Sequence, residues 1–203
     1  MRVSLNDVRG ALASRAPALV GEPVAARAAV AVILREARAG IEMLFIRRAE
    51  RESDPWSGQV GFPGGRAEAD DADLRTTARR ETLEEIGIDL LEDAELLGGL
   101  DELRAVARGR PVDLAIAPFV FHLRRGGTLR LSEEVTSVHW LELDLLLGPE
   151  HHGRFQYRHG DDTVDLPCVR MGDLVIWGLT YRMFVGLRER LSGLASAGAH
   201  TAS

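Results

Sequence analysis

Two apolar runs, Ala28 to Leu34 and Ile41 to Arg47, flank a charged turn that contains Gly40, and together they predict a pair of strands at the centre of a sheet. Ahead of them, Leu5, Val8 and Leu12 recur at helical spacing within residues 3–16, and Pro17 ends that helix. Further strands are predicted at Gln59 to Phe62, stopped by Pro63, and then at Leu96 to Leu100, Ile116 to Leu123 and Thr136 to Leu141. Asp101 to Pro111 is read as a polar connection carrying Arg104, Arg108 and Arg110. A short helix follows over Leu143 to Leu147, and residues 154–170 read as a hairpin turning at Gly160-Asp161-Asp162. Asp173 is the expected cap of a last long helix holding Ile176, Trp177, Leu179, Thr180, Met183, Phe184 and Leu187. Beyond Leu191 the chain is rich in Gly, Ala and Ser and is expected to be disordered. The pattern is that of one α/β domain over residues 24–191, with a helical extension over 1–23 and a tail over 192–203.

The candidate chemistry lies between Gly64 and Ile88. Glu81, Glu84 and Glu85 stand at i, i+3 and i+4, so a helix carries all three on one face, while Leu83 and Ile86 project toward the other side, where a core can take them. Three like charges on one face repel each other, and a hard cation removes that conflict. Mg²⁺ or Mn²⁺ takes oxygen donors and shares its shell with water and substrate phosphates, so a few carboxylates suffice. The Gly64-Gly65 pair allows close backbone approach, and Asp70, Asp71 and Asp73 supply acids for the helix N-cap and first turn.

These residues resemble the signature box of the Nudix hydrolases, which cleave a nucleoside diphosphate linked to another group. That pattern runs Gly, five residues, Glu, seven residues, then Arg-Glu-apolar-x-Glu-Glu-x-Gly-apolar. Its second half is Arg80-Glu81-Thr82-Leu83-Glu84-Glu85-Ile86-Gly87-Ile88, with Thr82 at an apolar position; in the first half Asp71 replaces Glu, and one extra residue precedes Arg80. The resemblance implies an α/β/α sandwich around a mixed β-sheet. It also implies that Glu81, Glu84 and Glu85, with a backbone carbonyl at Gly65, hold the metal while Arg80 orients the carboxylates. Glu133 or Glu134 is a candidate further carboxylate, or one of two exposed acids before a strand.

Within the family, Gly58-Gln59-Val60-Gly61-Phe62-Pro63-Gly64-Gly65, Ala117-Pro118-Phe119-Val120 and Ile176-Trp177-Gly178-Leu179-Thr180 resemble the coenzyme A diphosphatase branch. That branch carries an Arg at the position of Asp54, and an acid cannot clamp an anion. Arg47, Arg48 and Arg51 are the candidates to take over, as bidentate clamps or as solvated edge charges. Trp56, Phe62 and Gly64 complete the candidate substrate-binding set, with Trp56 either packing or stacking on a base. The implied substrate is coenzyme A or acyl-coenzyme A. The alternatives are ADP-ribose, NADH or dinucleoside polyphosphates, and a noncatalytic nucleotide-binding sensor.

A net charge of −6 opposes broad capture of nucleic acid or of anionic membrane. Cys168 is the one cysteine, which excludes an internal disulfide and leads to the expectation of a buried thiol in a cytoplasmic protein. No signal peptide or membrane span is expected, since Asp7 and Arg9 interrupt the apolar start and Arg27 breaks the stretch from Val24 to Leu34. The expected partner is a small-molecule nucleotide, and a homodimer is left open.

Overall fold

The computed structural model describes residues 2–21, 23–51, 56–107, 110–126, 128–159 and 162–200. Asp54 and two residues of the expected hairpin turn, Gly160 and Asp161, lie outside them, as do Arg108 and residues 201–203. The central sheet is built from β1 (Ala26–Ala37), β2 (Gly40–Arg48), β3 (Val60–Gly61), β4 (Gly64–Arg66), β5 (Ala94–Gly99), β6 (Leu103–Ala107), β7 (Arg110–Leu123) and β8 (Val135–Glu142). Its backbone order is β3-β2-β1-β7-β5, with β4 on β1, β6 on β7 and β8 on β2. The β1–β7 pairing is parallel and the other pairings antiparallel, so the sheet is mixed, as expected.

The two central runs lack polar alternation because both faces are covered. Ala29, Ala31, Ile33, Leu44 and Ile46 pack on one face against Ala78 and Ile86 of α2 (Leu74–Ile86). Ala28, Val32, Leu34, Met43 and Phe45 enter the opposite core, with Val8 and Leu12 of α1 (Leu5–Ala13) and Met183, Phe184 and Leu187 of the last helix. Helix α1 lies within the expected residues 3–16 but is shorter, and it begins at a reciprocal capping box of Ser4 and Asp7. The remaining elements are α3 (Leu90–Asp93), α4 (Leu143–Leu147) and α5 (Gly178–His200), with a second antiparallel sheet of β9 (His152–His159), β10 (Asp162–Met171) and β11 (Leu174–Trp177). Among the described residues no helix is long and apolar enough to cross a membrane.

Three expectations are corrected. Asp101–Pro111 is largely a hairpin, β6 with the start of β7, whose strands pair Leu103 with Ile116 and Ala107 with Arg110; the run of arginines in the sequence reads as polar loop and hides it. Asp173 does not cap a helix: it sits beside Gly172 (φ 62°) in the turn between β10 and β11, and Ile176 and Trp177 belong to β11. Helix α5 starts only at Gly178, after Ile176 and Trp177, and runs past Leu191 to His200. Cys168 is buried and unpaired.

Candidate active site

Helix α2 is delimited by its own sequence. The Asp73 carboxylate accepts from the Thr76 N–H at 2.9 Å, and Gly87 adopts φ 75° while its N–H closes onto the Leu83 carbonyl at 3.0 Å. Asp70 and Asp71 therefore precede the helix rather than forming its first turn. The buried face is Thr77, Ala78, Thr82, Glu85 and Ile86. Leu83, expected inside, is 46% exposed, and Thr82 takes the core place by donating its hydroxyl to the Ala78 carbonyl at 2.7 Å.

Arg80 gathers the acids. Its Nη1 donates to Glu81 Oε1 at 3.0 Å and to Glu84 Oε2 at 3.1 Å, and its Nη2 donates to the Arg66 carbonyl at 3.0 Å. Asp71 accepts from the same guanidinium through both oxygens, and also from Thr77 Oγ1 and the Glu68 N–H at 2.9 Å. These contacts, led by Arg80, hold Asp71 down at about 2. Despite the extra residue before Arg80, the upstream acid reaches its partner.

Glu85 is the buried member. Its Oε2 accepts from the Gly64 N–H at 2.9 Å, and Arg48 Nη1 stands 3.6 Å from Oε1. Burial outweighs both and pushes the carboxyl up to about 7, with Glu81 and Glu134 adding repulsion. Glu81 is raised as well, chiefly by desolvation. The backbone is cut to fit: a Cβ on Gly65 would lie 2.6 Å from Glu81 Oε2, and one on Gly64 (φ 150°) would lie 2.6 Å from Val30 Cα. Two glycines thus let β4 pass between β1 and the carboxylate face.

The family pattern implies a divalent cation, and the residues present fit one. Their donors are all hard oxygens, desolvation of the buried Glu85 outweighs its contact with Arg48, and Gly65 lets the backbone come up against the Glu81 carboxylate. Among the described residues no three acidic, His or Cys side chains converge into a ready cage. An octahedral ion that keeps several waters and substrate oxygens needs only one or two carboxylates, so convergence of three is not required.

Glu81 and Glu85 open onto a cavity of about 510 Å³. Its apolar wall is Ala28, Val30, Leu114, Ile116, Leu179 and Met183; Trp56, Val60 and Phe62 close one side, and Arg48, Arg51, Arg66 and Glu134 line it with the carboxylates. Of the three predicted arginines, Arg48 and Arg51 reach this cavity and Arg47 does not. Neighbours on a strand face opposite sides, and Arg47 donates instead to Asp173 Oδ2 at 2.8 Å. Phe62 is 5% exposed and stacks on Phe45 at 5.0 Å, so it serves mainly as packing and offers the cavity only an edge. Glu134 pairs with Arg51 at 2.8 Å, and the neighbouring Ser132 N–H satisfies the Glu85 carbonyl, which brings this loop to the end of α2. Arg66 was missed by sequence reasoning, though alternation from Gly65 along β4 was the signal available for it, and Thr180 of the branch-like motif also lines the cavity.

A NUDIX domain model matches residues 25–159. An uncharacterized protein of Schizosaccharomyces pombe is 45% identical over 118 residues, covering 56% of this chain and 36% of that protein. The peroxisomal coenzyme A diphosphatase ndx-8 of Caenorhabditis elegans is 36% identical over 115 residues, covering 56% of this chain and 46% of that protein. The mitochondrial coenzyme A diphosphatase NUDT8 of Mus musculus is 32% identical over 158 residues, covering 76% of this chain and 73% of that protein. The chain thus spans less than half the length of two of these relatives. It belongs to the Nudix family. The cytoplasmic expectation is overturned, because the named relatives are peroxisomal and mitochondrial; one reduced cysteine does not choose among compartments.

Proposed function

We propose that the protein is a metal-dependent diphosphatase that cleaves coenzyme A or acyl-coenzyme A within the diphosphate, giving 4′-phosphopantetheine and adenosine 3′,5′-bisphosphate. The observation that carries this reading is the Arg80-tethered carboxylate face, with Glu85 buried against Gly64, opening onto a cavity whose farther wall is apolar. The relatives named as coenzyme A diphosphatases support the substrate.

A diphosphate resists water because its oxygens are already negative. A divalent cation, when bound, screens those oxygens and raises the acidity of water at the site. Glu81 and Glu85, which line the cavity, would hold it, assisted by the Gly65 carbonyl, and Glu84, tethered beside them by Arg80, would complete the set as the ion binds. Arg80 keeps Glu81 and Glu84 on one side of the helix, and Asp71 keeps Arg80 extended toward them. In the metal-free protein burial raises the proton affinity of Glu85, and a bound cation would lower it again, so Glu85 acts as a ligand. Arg48 and Arg51 supply positive charge at the cavity wall once an anionic substrate competes with Glu85 and Glu134. The apolar wall suits the uncharged part of the substrate.

The test is incubation with coenzyme A, acyl-coenzyme A, ADP-ribose, NADH and diadenosine polyphosphates in Mg²⁺ or Mn²⁺, with products identified by mass. Cleavage of coenzyme A to the two named products is the expected result. Preferential cleavage of ADP-ribose or a dinucleotide would withdraw the substrate, and turnover of nothing in the panel, with nucleotide still bound, would favour a sensor.

A further inference from the structure

Among the described residues, the cavity holds one cation whose charge is not already committed. Arg48 faces Glu85 and Arg51 pairs with Glu134, whereas the Arg66 guanidinium has no hydrogen bond, ion pair or ring contact among the described residues. Its backbone is nevertheless fixed. The Arg66 carbonyl accepts from Arg80, the following Ala67 N–H donates to the Arg27 carbonyl at 2.9 Å, and β4 pairs with β1.

Sheet register says which way Arg66 points. Arg66 pairs with Ala28, Ala28 with Ile116, and residues directly opposite one another on neighbouring strands share a face. Ala28 and Ile116 are apolar wall of the cavity. Gly65, one residue earlier, turns its Cβ direction toward the Glu81 carboxylate on the other face. Arg66 and the carboxylates therefore address a bound ligand from opposite sides of β4, and the phosphate held at Glu81 and Glu85 is not the group that Arg66 meets.

We propose that Arg66 is a specificity-determining residue that binds a second anionic group of the substrate, a phosphomonoester carried on the nucleoside apart from the diphosphate. A phosphomonoester carries close to two negative charges at neutral pH and presents oxygens that a guanidinium fork grips in pairs. Arg66 is the cation here that can meet it without first releasing a carboxylate. The inference deepens the diphosphatase reading and rests on it, since a ligand bearing both a diphosphate and a separate phosphate is what the two faces would select.

The experiment compares the affinities of adenosine 3′,5′-bisphosphate and adenosine 5′-monophosphate by calorimetry in Mg²⁺, for the wild type, Arg66→Ala and Arg66→Lys. The wild type should prefer the bisphosphate by about tenfold or more, the scale of a charge-assisted contact. Arg66→Ala should bring the ratio close to one, and Arg66→Lys should keep part of it, with melting temperatures little changed because the guanidinium makes no hydrogen bond or ion pair among the described residues. A wild-type ratio near one, or a ratio preserved in Arg66→Ala, overturns the proposal. Coenzyme A is incubated in parallel: if it stays intact while the preference depends on Arg66, the substrate reading fails and this inference stands. If it is cleaved and the preference ignores Arg66, the reverse holds.

Discussion

Arg80 grips Asp71 through two parallel bonds, Nε to Oδ1 and Nη2 to Oδ2, each 3.1 Å. The same guanidinium holds Glu81 and Glu84, so Asp71 acts on the site through an intermediary. Asp71→Asn keeps the size and loses the charge. Turnover is expected to fall by about tenfold with KM little changed, on the scale of losing one charge-assisted contact. The carboxyl is depressed to about 2, so its stabilisation is complete above the unfolded value near 3.8 and is lost as pH falls from there through 2. Wild-type melts should therefore lose an increment over that window that Asp71→Asn lacks. Identical acid profiles would mean that the pair contributes nothing.

Glu85 has the opposite linkage. Its folded value, near 7, lies above the unfolded value near 4.5, so metal-free protein should lose stability as pH rises from about 4.5 through 7. Glu85→Gln still accepts from the Gly64 N–H and removes the buried charge. At pH 8 without metal it should melt a few degrees above wild type. Its hydrolysis, and that of Glu84→Gln, should fall by roughly a hundredfold or more at saturating Mg²⁺. EDTA should abolish wild-type turnover and Mg²⁺ or Mn²⁺ should restore it. Full turnover in both variants, or in chelated enzyme, would remove the metal assignment.

How far the sequence could be read depended on the range of the interaction. The shared face of Glu81, Glu84 and Glu85 follows from helical spacing alone, and the central strands follow from unbroken apolar runs. Leu83 was misplaced because helix spacing gives relative directions and not which direction is the core; Thr82, with its hydroxyl returned to the helix backbone, occupies the inside. Strands β6 and β11 were hidden for a different reason. Each is short and is held by a partner strand, and Leu174–Trp177 runs directly into α5, whose first residue is Gly178 at φ 62°. The separation of Arg47 from Arg48 and the freedom of Arg66 are settled by neighbours distant in sequence, Asp173 for one and the Ala28–Ile116 row for the other.

Asp101 joins the N-terminal segment to the last helix. It accepts from Arg15 Nη1 at 2.7 Å, from the Ala18 N–H at 2.9 Å and from Arg190 Nη2 at 2.8 Å, and Arg190 is only 3% exposed. Asp101→Ala leaves that buried guanidinium, among the described residues, with the carbonyls of Leu12 and Arg15. The expected loss is roughly 2 kcal/mol in urea unfolding, with kcat unchanged at temperatures where the protein stays folded. An unchanged unfolding midpoint would show that the exposed half of the cluster screens the rest.

The two glycines before α2 should fail in different ways when given a side chain, and the contrast separates folding from catalysis. At Gly64 a Cβ meets fixed backbone, overlapping the Ala29 carbonyl and Val30 Cα, and φ is 150°, so neither neighbour can yield. Gly64→Ala should lower stability sharply, and activity should decline only as the folded fraction does. At Gly65 the obstacle is the end of the Glu81 side chain, which can swing aside. Gly65→Ala should therefore fold, with a melting temperature within a few degrees of wild type, while Glu81 leaves both Arg80 and the metal face. Turnover should drop by about tenfold or more, and more metal should be needed for half-maximal rate. If Gly65→Ala hydrolyses substrate at the wild-type rate and metal requirement, the position of Glu81 beside β4 is irrelevant to the chemistry, and the ligand set would have to be redrawn around Glu84 and Glu85.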